Sequence, residues 1–201
     1  MATATGRRSS TPGGRQRRES LVAAAAVLLV EHGPAGVTAR AVAASADTAL
    51  GQVPYYFTDV RQMLRAASMR VLEAHLEAAR DRMAGTTVRT SRPALARTLV
   101  AMVLGPYASR GVDGVRAMYG RVLAASADPE WADDMRQWDE RFGPMLVDLL
   151  TAAGRDATRP RALLAFADGL AVSAALRGLA EPEAFLVAEL ADVLDLLAPQ
   201  L

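Results

Sequence analysis

The side chains best suited to catalysis or metal binding are few in this chain and do not converge. The 201 residues contain no cysteine and only two histidines, so disulfides and thiolate metal sites are excluded. Glu73, His75 and Glu77 do not share one face of a helix, and they therefore do not form a metal-binding motif. The pair Asp133-Asp134 is interpreted as solvated helix surface. With no glycine-rich phosphate loop either, the sequence does not predict an enzyme, a cofactor or a metal site.

Charge is distributed unevenly along the chain. All 23 basic residues are arginine, and residues 1–65 hold eight of them against four acidic residues, a net charge of +4. The remainder holds 15 arginines against 18 acidic residues, a net charge of −3. A basic front end is typical of a chain that meets a polyanion such as DNA at one end. Charge alone leaves an ordinary solvated distribution equally open.

Composition predicts an all-α protein. Apolar residues make up 51% of the chain and are mostly Ala, Leu and Val, whereas aromatic residues make up only 5%. The first 18 residues are polar and do not resemble a signal peptide. The apolar segment 162–180 contains Asp168 and Arg177, which favours a buried soluble helix over a membrane span. We therefore expect a cytoplasmic protein with no membrane partner.

Helical periodicity and helix-ending residues predict the elements of the first third. Residues 1–14 have almost nothing to bury, so a disordered basic arm is expected. A first helix begins at Arg15 and ends at Gly33-Pro34, and Thr38 caps a second helix over residues 39–45. A tight turn at residues 46–48 precedes a third helix over about 50–56. Thr58 or Asp59 then caps a longer helix that ends near Met83.

The rest of the chain is predicted to be helical with clear interruptions. Gly105-Pro106 predicts an early end or a kink, and Gly143-Pro144 allows another interruption. Asp128-Pro129-Glu130 is a strong helix start. The expected helices cover about residues 93–107, 112–125, 129–152, 160–178 and 182–198.

Four stretches of residues 17–64 stand in a characteristic order and spacing. These are Arg18-Glu-Ser-Leu-Val-Ala-Ala-Ala, Glu31-His32-Gly33, Val37-Thr38-Ala39-Arg40-Ala41-Val42-Ala43, and Tyr55-Tyr56-Phe57 followed by Met63-Leu64. In these stretches the chain resembles the DNA-binding domain of the tetracycline-repressor (TetR) family. The family implies an N-terminal three-helix, helix-turn-helix domain, here residues 15–62, followed by a larger helical effector-binding and dimerisation domain, here residues 63–201.

The sequence departs from the family pattern at three places. The turn is Asp47-Thr48-Ala49 where Gly-Val-Ser or similar is usual, and Val60 stands where a lysine is common. Pro54 lies within the expected recognition helix, where it cannot donate a backbone hydrogen bond. That helix either begins late, with Pro54 in its first turn, or is bent.

The resemblance assigns roles in DNA binding to side chains of this domain. Gln52 is the best candidate for adenine, Thr48 can add a hydrogen bond, and Leu50 or Val53 can contact thymine methyl groups. Gly51 permits close approach of the backbone to DNA. Phosphate contacts that fix the register are expected from Thr38, Arg40, Tyr55 and Tyr56. Arg15, Arg17 and Arg18 are expected to clamp the backbone, and Arg7 and Arg8 to reach a minor groove.

The second domain is expected to supply a homodimer interface and a ligand pocket. The interface is predicted on the last two helices, and packing within one chain is the alternative. Its predicted residues are Ala165, Gly169, Ser173, Leu186, Leu190, Val193, Leu194 and Leu197. The predicted pocket residues are Met102, Tyr107, Met118, Tyr119, Trp138, Phe142 and Phe166, with plain core packing as the alternative. Few charges lie in these segments, so a small, mostly apolar effector is expected.

These expectations combine into one function and one alternative. The chain is predicted to be a dimeric transcriptional repressor that binds an inverted-repeat operator in double-stranded DNA and is released by its effector. The alternative is an all-helical interaction module that has lost specific DNA binding.

Overall fold

The computed structural model describes residues 11–126 and 129–201, and its regular secondary structure consists of helices, as predicted. The chain folds as two compact units, the first ending at Glu73 and the second beginning at Ala74. The division falls within a long helix, eleven residues beyond the boundary drawn from the sequence. The α-helices are α1 (Pro12–His32), α2 (Ala39–Ser45), α3 (Val53–Tyr56), α4 (Val60–Met83), α5 (Arg92–Leu104), α6 (Gly111–Ala125), α7 (Pro129–Ala152), α8 (Pro160–Arg177) and α9 (Pro182–Leu197).

Helix α1 begins three residues before its predicted start. Thr11 is its N-cap, and the Thr11 hydroxyl accepts a hydrogen bond from the Gly14 backbone N–H at 3.1 Å. Residues 12–14 are therefore the first turn of a helix and not part of a disordered arm. Residues 1–10, where the rest of that arm was predicted, lie outside the described residues. The helix ends as predicted at Gly33, whose φ of 69° suits glycine.

Helix α2 has the bounds and the cap that were predicted. The Thr38 hydroxyl accepts a hydrogen bond from the Ala41 N–H at 3.2 Å. Asp47, with a φ of 47°, follows the helix in the left-handed conformation. Its N–H donates to the Ala44 carbonyl, and the Thr48 N–H donates to the Ala43 carbonyl at 2.9 Å. This pair of hydrogen bonds is a Schellman closure, so aspartate replaces the usual glycine without loss of the turn.

The third helix begins late, which resolves the two possibilities that Pro54 left open. Residues Leu50–Gln52 form a 3₁₀ turn, and α3 follows with Pro54 in its first turn, where no backbone N–H is required. Asp59 then caps α4, because its carboxylate accepts the Gln62 N–H at 2.7 Å.

In the second unit, one of the two expected interruptions occurs. Helix α5 ends at Leu104, and Gly105 begins a 3₁₀ turn over Gly105–Arg110. Helix α7, by contrast, continues through Pro144. The buried side chains of Phe142, Met145 and Leu146 on either side of the proline hold the helix against the core.

Helix α9 packs on its own chain, which corrects part of the predicted dimer interface. It lies against α5 and α8, and Leu186, Leu190 and Leu194 are completely buried between these helices. Their apolar stripe is therefore core of one chain and is not available to a partner. Ala165 and Gly169 are exposed, and Ser173, Val193 and Leu197 are half-buried.

Candidate nucleic-acid interface and ligand site

The 3₁₀ turn before α3 presents an exposed ridge of three residues. Leu50 is 48% exposed, and Gly51 and Gln52 are also exposed. A Cβ added to Gly51 would meet no atom of the protein within 4 Å. The fold therefore does not require glycine at this position, which is consistent with a role in approach to a ligand outside the protein.

Two residues assigned to DNA contact are turned inward. Val53 is only 4% exposed and is part of the core, so it cannot reach a thymine methyl group. The Tyr55 hydroxyl is buried, so Tyr55 is not a phosphate contact. The Tyr55 and Tyr56 rings meet edge to face with centroids 4.9 Å apart. Of the two tyrosines, Tyr55 is therefore the one whose hydroxyl packs inward.

The same unit carries further polar and basic residues that are accessible to solvent. Arg17, Thr38 and Arg40 are exposed, and Thr48 is half-buried. Arg18 is half-buried, with its guanidinium 5.2 Å from the centre of the Phe57 ring. That contact restrains Arg18 while leaving part of it accessible to solvent.

In the second unit, several predicted pocket residues form a cluster of rings around a buried histidine. Trp138 and Phe142 stack with centroids 4.5 Å apart and an interplanar angle of 14°. The His75 ring lies 5.7 Å from Trp138 and 5.9 Å from Phe142. His75 Nε2 donates a hydrogen bond to the Met102 carbonyl oxygen.

His75 is held as a neutral donor. Burial is the largest influence and lowers its pKa, the hydrogen bond to the Met102 carbonyl opposes that shift, and the charges of Arg121 and Arg82 lower the pKa further. Gly105 packs directly against the imidazole: a Cβ there would lie 2.7 Å from the ring, and the φ of Gly105 is +53°. Sequence patterns identified Gly105 as a helix end but gave no sign of this contact.

A second group of rings surrounds a buried arginine. Arg121 is 5% exposed, and its guanidinium lies 5.9 Å from the centre of the Tyr107 ring and 5.6 Å from that of Trp131. Arg121 and Trp131 were not among the predicted site residues. A lone arginine in a helix is ordinarily exposed, so nothing in the pattern indicated its burial.

Tyr119 contacts another residue that the sequence analysis did not select. Its hydroxyl donates to the Asp168 carboxylate at 2.7 Å. Burial raises the pKa of Asp168, the Tyr119 hydrogen bond opposes that shift, and nearby Asp139 adds to it. Burial and the Asp168 charge both raise the pKa of Tyr119. Met118 is buried and Phe166 half-buried; within residues 11–126 and 129–201 no ring contact joins Phe166 to either group.

Helix α8 carries an exposed apolar stripe. Ala165, Gly169, Val172 and Leu176 recur at intervals of three or four residues and are all exposed, Leu176 by 83%. Leu196 on α9 is 80% exposed. Large exposed leucines in such an arrangement are typical of a surface that packs against another chain.

Two kinds of site are missing from the described part of the chain. No group of three His, Asp or Glu side chains there is placed to hold a metal ion. None of its helices has both the length and the apolar character needed to cross a membrane.

Comparison with family profiles places both units in one family. Residues 21–67 match "Bacterial regulatory proteins, tetR family", and residues 90–199 match "Tetracyclin repressor-like, C-terminal domain". The second match alone covers more than half of the chain. No curated protein sequence matches.

Solved structures agree with the profiles. The multidrug binding protein EbrR complexed with proflavin is 28% identical, with 88% of this chain and 99% of that chain covered and a TM-score of 0.63. A TetR family member from Streptomyces coelicolor (SCO1917) is 27% identical, with coverages of 89% and 98% and a TM-score of 0.60. A TetR transcription regulator from Haloarcula marismortui is 22% identical, with coverages of 92% and 99% and a TM-score of 0.69, a likeness of fold. The protein therefore belongs to the TetR family of transcriptional regulators.

Proposed function

We propose that this protein is a cytoplasmic, dimeric repressor that binds an inverted-repeat operator and is released by a small molecule. The observation that carries the proposal is the exposed ridge Leu50-Gly51-Gln52, which lies within the stretch matched by the TetR family profile. The exposed side chains of Leu50 and Gln52 have no evident packing role, and packing does not require a glycine at position 51. They are suited to contact with base edges in a major groove.

Within the ridge, Gln52 is the residue proposed to specify sequence. A glutamine amide can donate a hydrogen bond to N7 of adenine and accept one from its N6 amino group, which makes it a bidentate partner for adenine. Leu50 is proposed to contact a thymine methyl group, and Thr48 is proposed to add a hydrogen bond. The proposal no longer includes Val53, because its side chain is buried.

Phosphate contacts are proposed to fix the register on DNA. Arg17, Arg40 and Thr38 are exposed, and the first turn of α2 begins at the Thr38 cap. Free N–H groups at the start of a helix favour an anion, although α2 is short and the arginines carry the main charge. Tyr56 remains a proposed phosphate contact, and Tyr55 does not.

The dimer is proposed to form through the exposed stripe of α8 together with Leu196 of α9. Ala165 and Gly169 allow close helix approach, and Val172 and Leu176 supply apolar area. Val193 and Leu197 are half-buried, so each keeps some surface that a partner could cover. Two chains related by a twofold axis present two ridges, which is why an inverted repeat is expected.

The effector is proposed to bind among the rings of the second unit. Support comes from the buried polar groups His75 and Arg121 within aromatic surroundings, and from the solved complexes of EbrR with proflavin and with imidazole. For the effector to release the protein from DNA, it must bind more tightly to a conformation of the dimer in which the two exposed ridges are arranged differently from the DNA-bound conformation. No catalytic role is proposed for the site.

The test is selection of binding sites from genomic DNA with the purified protein, repeated with Gln52→Ala and Arg40→Ala. We expect an enriched inverted repeat, with Gln52→Ala relaxing one base position in each half-site. Arg40→Ala is expected to weaken all sites alike and to reduce the salt dependence of binding. No enriched sequence at low salt, with the folded dimer verified, would contradict the proposal and favour an interaction module.

A further inference from the structure

Arg121 is a buried cation, and two of its three guanidinium nitrogens make no hydrogen bond within the described residues. Its side chain is 5% exposed, and neither Nε nor Nη1 has a hydrogen-bond partner in the described residues. No ion pair joins it to a carboxylate within that same part of the chain. A charge removed from water without a counterion is strongly unfavourable, so an arrangement of this kind requires an explanation.

Arg155 is a buried arginine of this fold whose guanidinium does have hydrogen-bond acceptors, and it serves as a comparison. It is 4% exposed, and its Nη1 donates to the Asp195 carboxylate at 2.9 Å and to the Ala198 carbonyl at 2.7 Å. Arg155 therefore ties the C-terminal segment to the loop after α7. Arg121 is as deeply buried, but among the described residues no acceptor meets its Nε or its Nη1.

The groups around Arg121 also lack acceptors. The Tyr107 hydroxyl and the Trp131 Nε1 are buried without a hydrogen-bond partner in the described residues, and both rings lie against the Arg121 guanidinium. The Trp138 Nε1 in the neighbouring ring cluster is likewise without a partner there. Each of these groups can donate a hydrogen bond, and the indoles can only donate. The missing component is thus an acceptor, and beside a guanidinium an anionic acceptor is favoured.

We infer that the effector carries a carboxylate, which Arg121 binds, on an apolar or aromatic body that lies against Tyr107 and Trp131. This inference rests on the proposed effector site of the second unit and replaces the expectation of a mostly apolar ligand. A planar guanidinium binds a carboxylate through two parallel hydrogen bonds. Bound carboxylate supplies both the counterion and the acceptors that the site lacks.

Neither His75 nor Asp168 changes the sign of the charge at the site. His75 is neutral because burial lowers its pKa, and Arg121 is close enough to contribute to that shift. The Asp168 carboxylate is engaged by the Tyr119 hydroxyl. A cationic ligand placed against Arg121 would be repelled, and a neutral amide would leave the charge uncompensated.

The test compares aromatic carboxylates with their amides by isothermal titration calorimetry on the full-length protein. The probes are benzoate, 1-naphthoate and 9-anthracenecarboxylate, each paired with the corresponding amide so that ring size is matched. We expect at least one acid to bind about 10- to 100-fold more tightly than its amide. In Arg121→Met that preference should disappear, while Arg89→Met, which changes an exposed arginine, should retain it.

Stability of the ligand-free protein gives a second readout. Replacement of an unpaired buried charge by an apolar side chain of similar length should raise the Tm of Arg121→Met by about 2 °C or more. A lower Tm would show that the guanidinium is already stabilised within the protein and would overturn the inference. Equal affinity of acids and amides at every ring size, including no binding of either, would also overturn it.

The outcome is separable from that of the proposed function. Operator selection is performed without effector, and the calorimetry contains no DNA. A protein that binds an inverted repeat but shows no preference for carboxylates would retain the proposed function and refute only the role of Arg121.

Discussion

Charge placed on the α8 stripe should separate the proposed dimer. Leu176 is 83% exposed in the single chain, and burial of a leucine side chain stabilises by roughly 1.5–3 kcal/mol. Leu176→Asp removes most of that gain and does so twice, because each residue of a twofold interface occurs in both chains. The expected loss is roughly 2.5–5 kcal/mol of dimerisation free energy, which corresponds to about a 70- to 5,000-fold increase in the dissociation constant.

Sedimentation equilibrium over a range of protein concentrations measures this effect directly. Leu123→Asp is the matched control, since Leu123 is 71% exposed but belongs to α6 and is not one of the stripe residues. We expect Leu176→Asp to be largely monomeric at concentrations where wild type and Leu123→Asp are dimeric, with an unchanged helical CD spectrum. An unchanged dissociation constant for Leu176→Asp, or dissociation caused by Leu123→Asp instead, would refute the assignment of the α8 stripe as the interface.

Three further predictions concern single residues. Gly51→Ala meets no protein atom within 4 Å, so we expect an unchanged Tm but weaker operator binding by fluorescence anisotropy; unchanged affinity would refute close approach of DNA there. The pKa of His75 is lowered in the folded protein, chiefly by burial, so below pH 6.5 the unfolded chain binds the proton first and stability falls. Denaturant unfolding between pH 7.5 and 5.5 should show this loss, which this group can contribute at no more than about 1.4 kcal/mol per pH unit. His75→Gln should make the free energy of unfolding depend less steeply on pH. An equal dependence in the variant would exclude His75 as its source. Gly105→Ala combines a positive φ with a Cβ 2.7 Å from the His75 ring, so it should lower the free energy of unfolding by about 1–3 kcal/mol. The control is Gly120→Ala, which should not destabilise the protein because the space around its Cβ is open. Equal unfolding midpoints for the two variants would contradict the contact with His75.

Local signals in the sequence were sufficient where a single residue type performs a single backbone task. Thr38 accepts an N–H that a helix start leaves free, and Gly33 and Asp47 adopt positive φ angles just after the last turn of a helix. These tasks depend on neighbours within a few positions, so spacing alone identifies them. Pro144 shows the opposite case: packing on both sides preserves a helix that a local rule would interrupt.

The bounds of the helices were easier to predict from the sequence than which side chains are buried and what they pack against. The stripe Leu186-Leu190-Leu194 was identified correctly as apolar, but an apolar stripe looks the same whether it packs on its own chain or on another. The burial of Arg121 depends on Tyr107 in the preceding 3₁₀ turn and on Trp131 in the next helix, and no periodicity within α6 reports that arrangement. The burial of Val53 likewise goes with a short α3 that begins at this residue. The sequence predicted a helix that begins near residue 50, and the inward orientation of Val53 could not be seen from it.

The mass of the protein–operator complex tests the central claim most directly. A selected inverted repeat and the same duplex with one half-site scrambled would each be titrated with protein and analysed by sedimentation velocity at moderate salt. We predict two chains on each intact duplex, and a large loss of affinity when one half-site is scrambled. One chain per intact duplex, or equal affinity for the two duplexes, would contradict a dimer that binds DNA through two reading ridges.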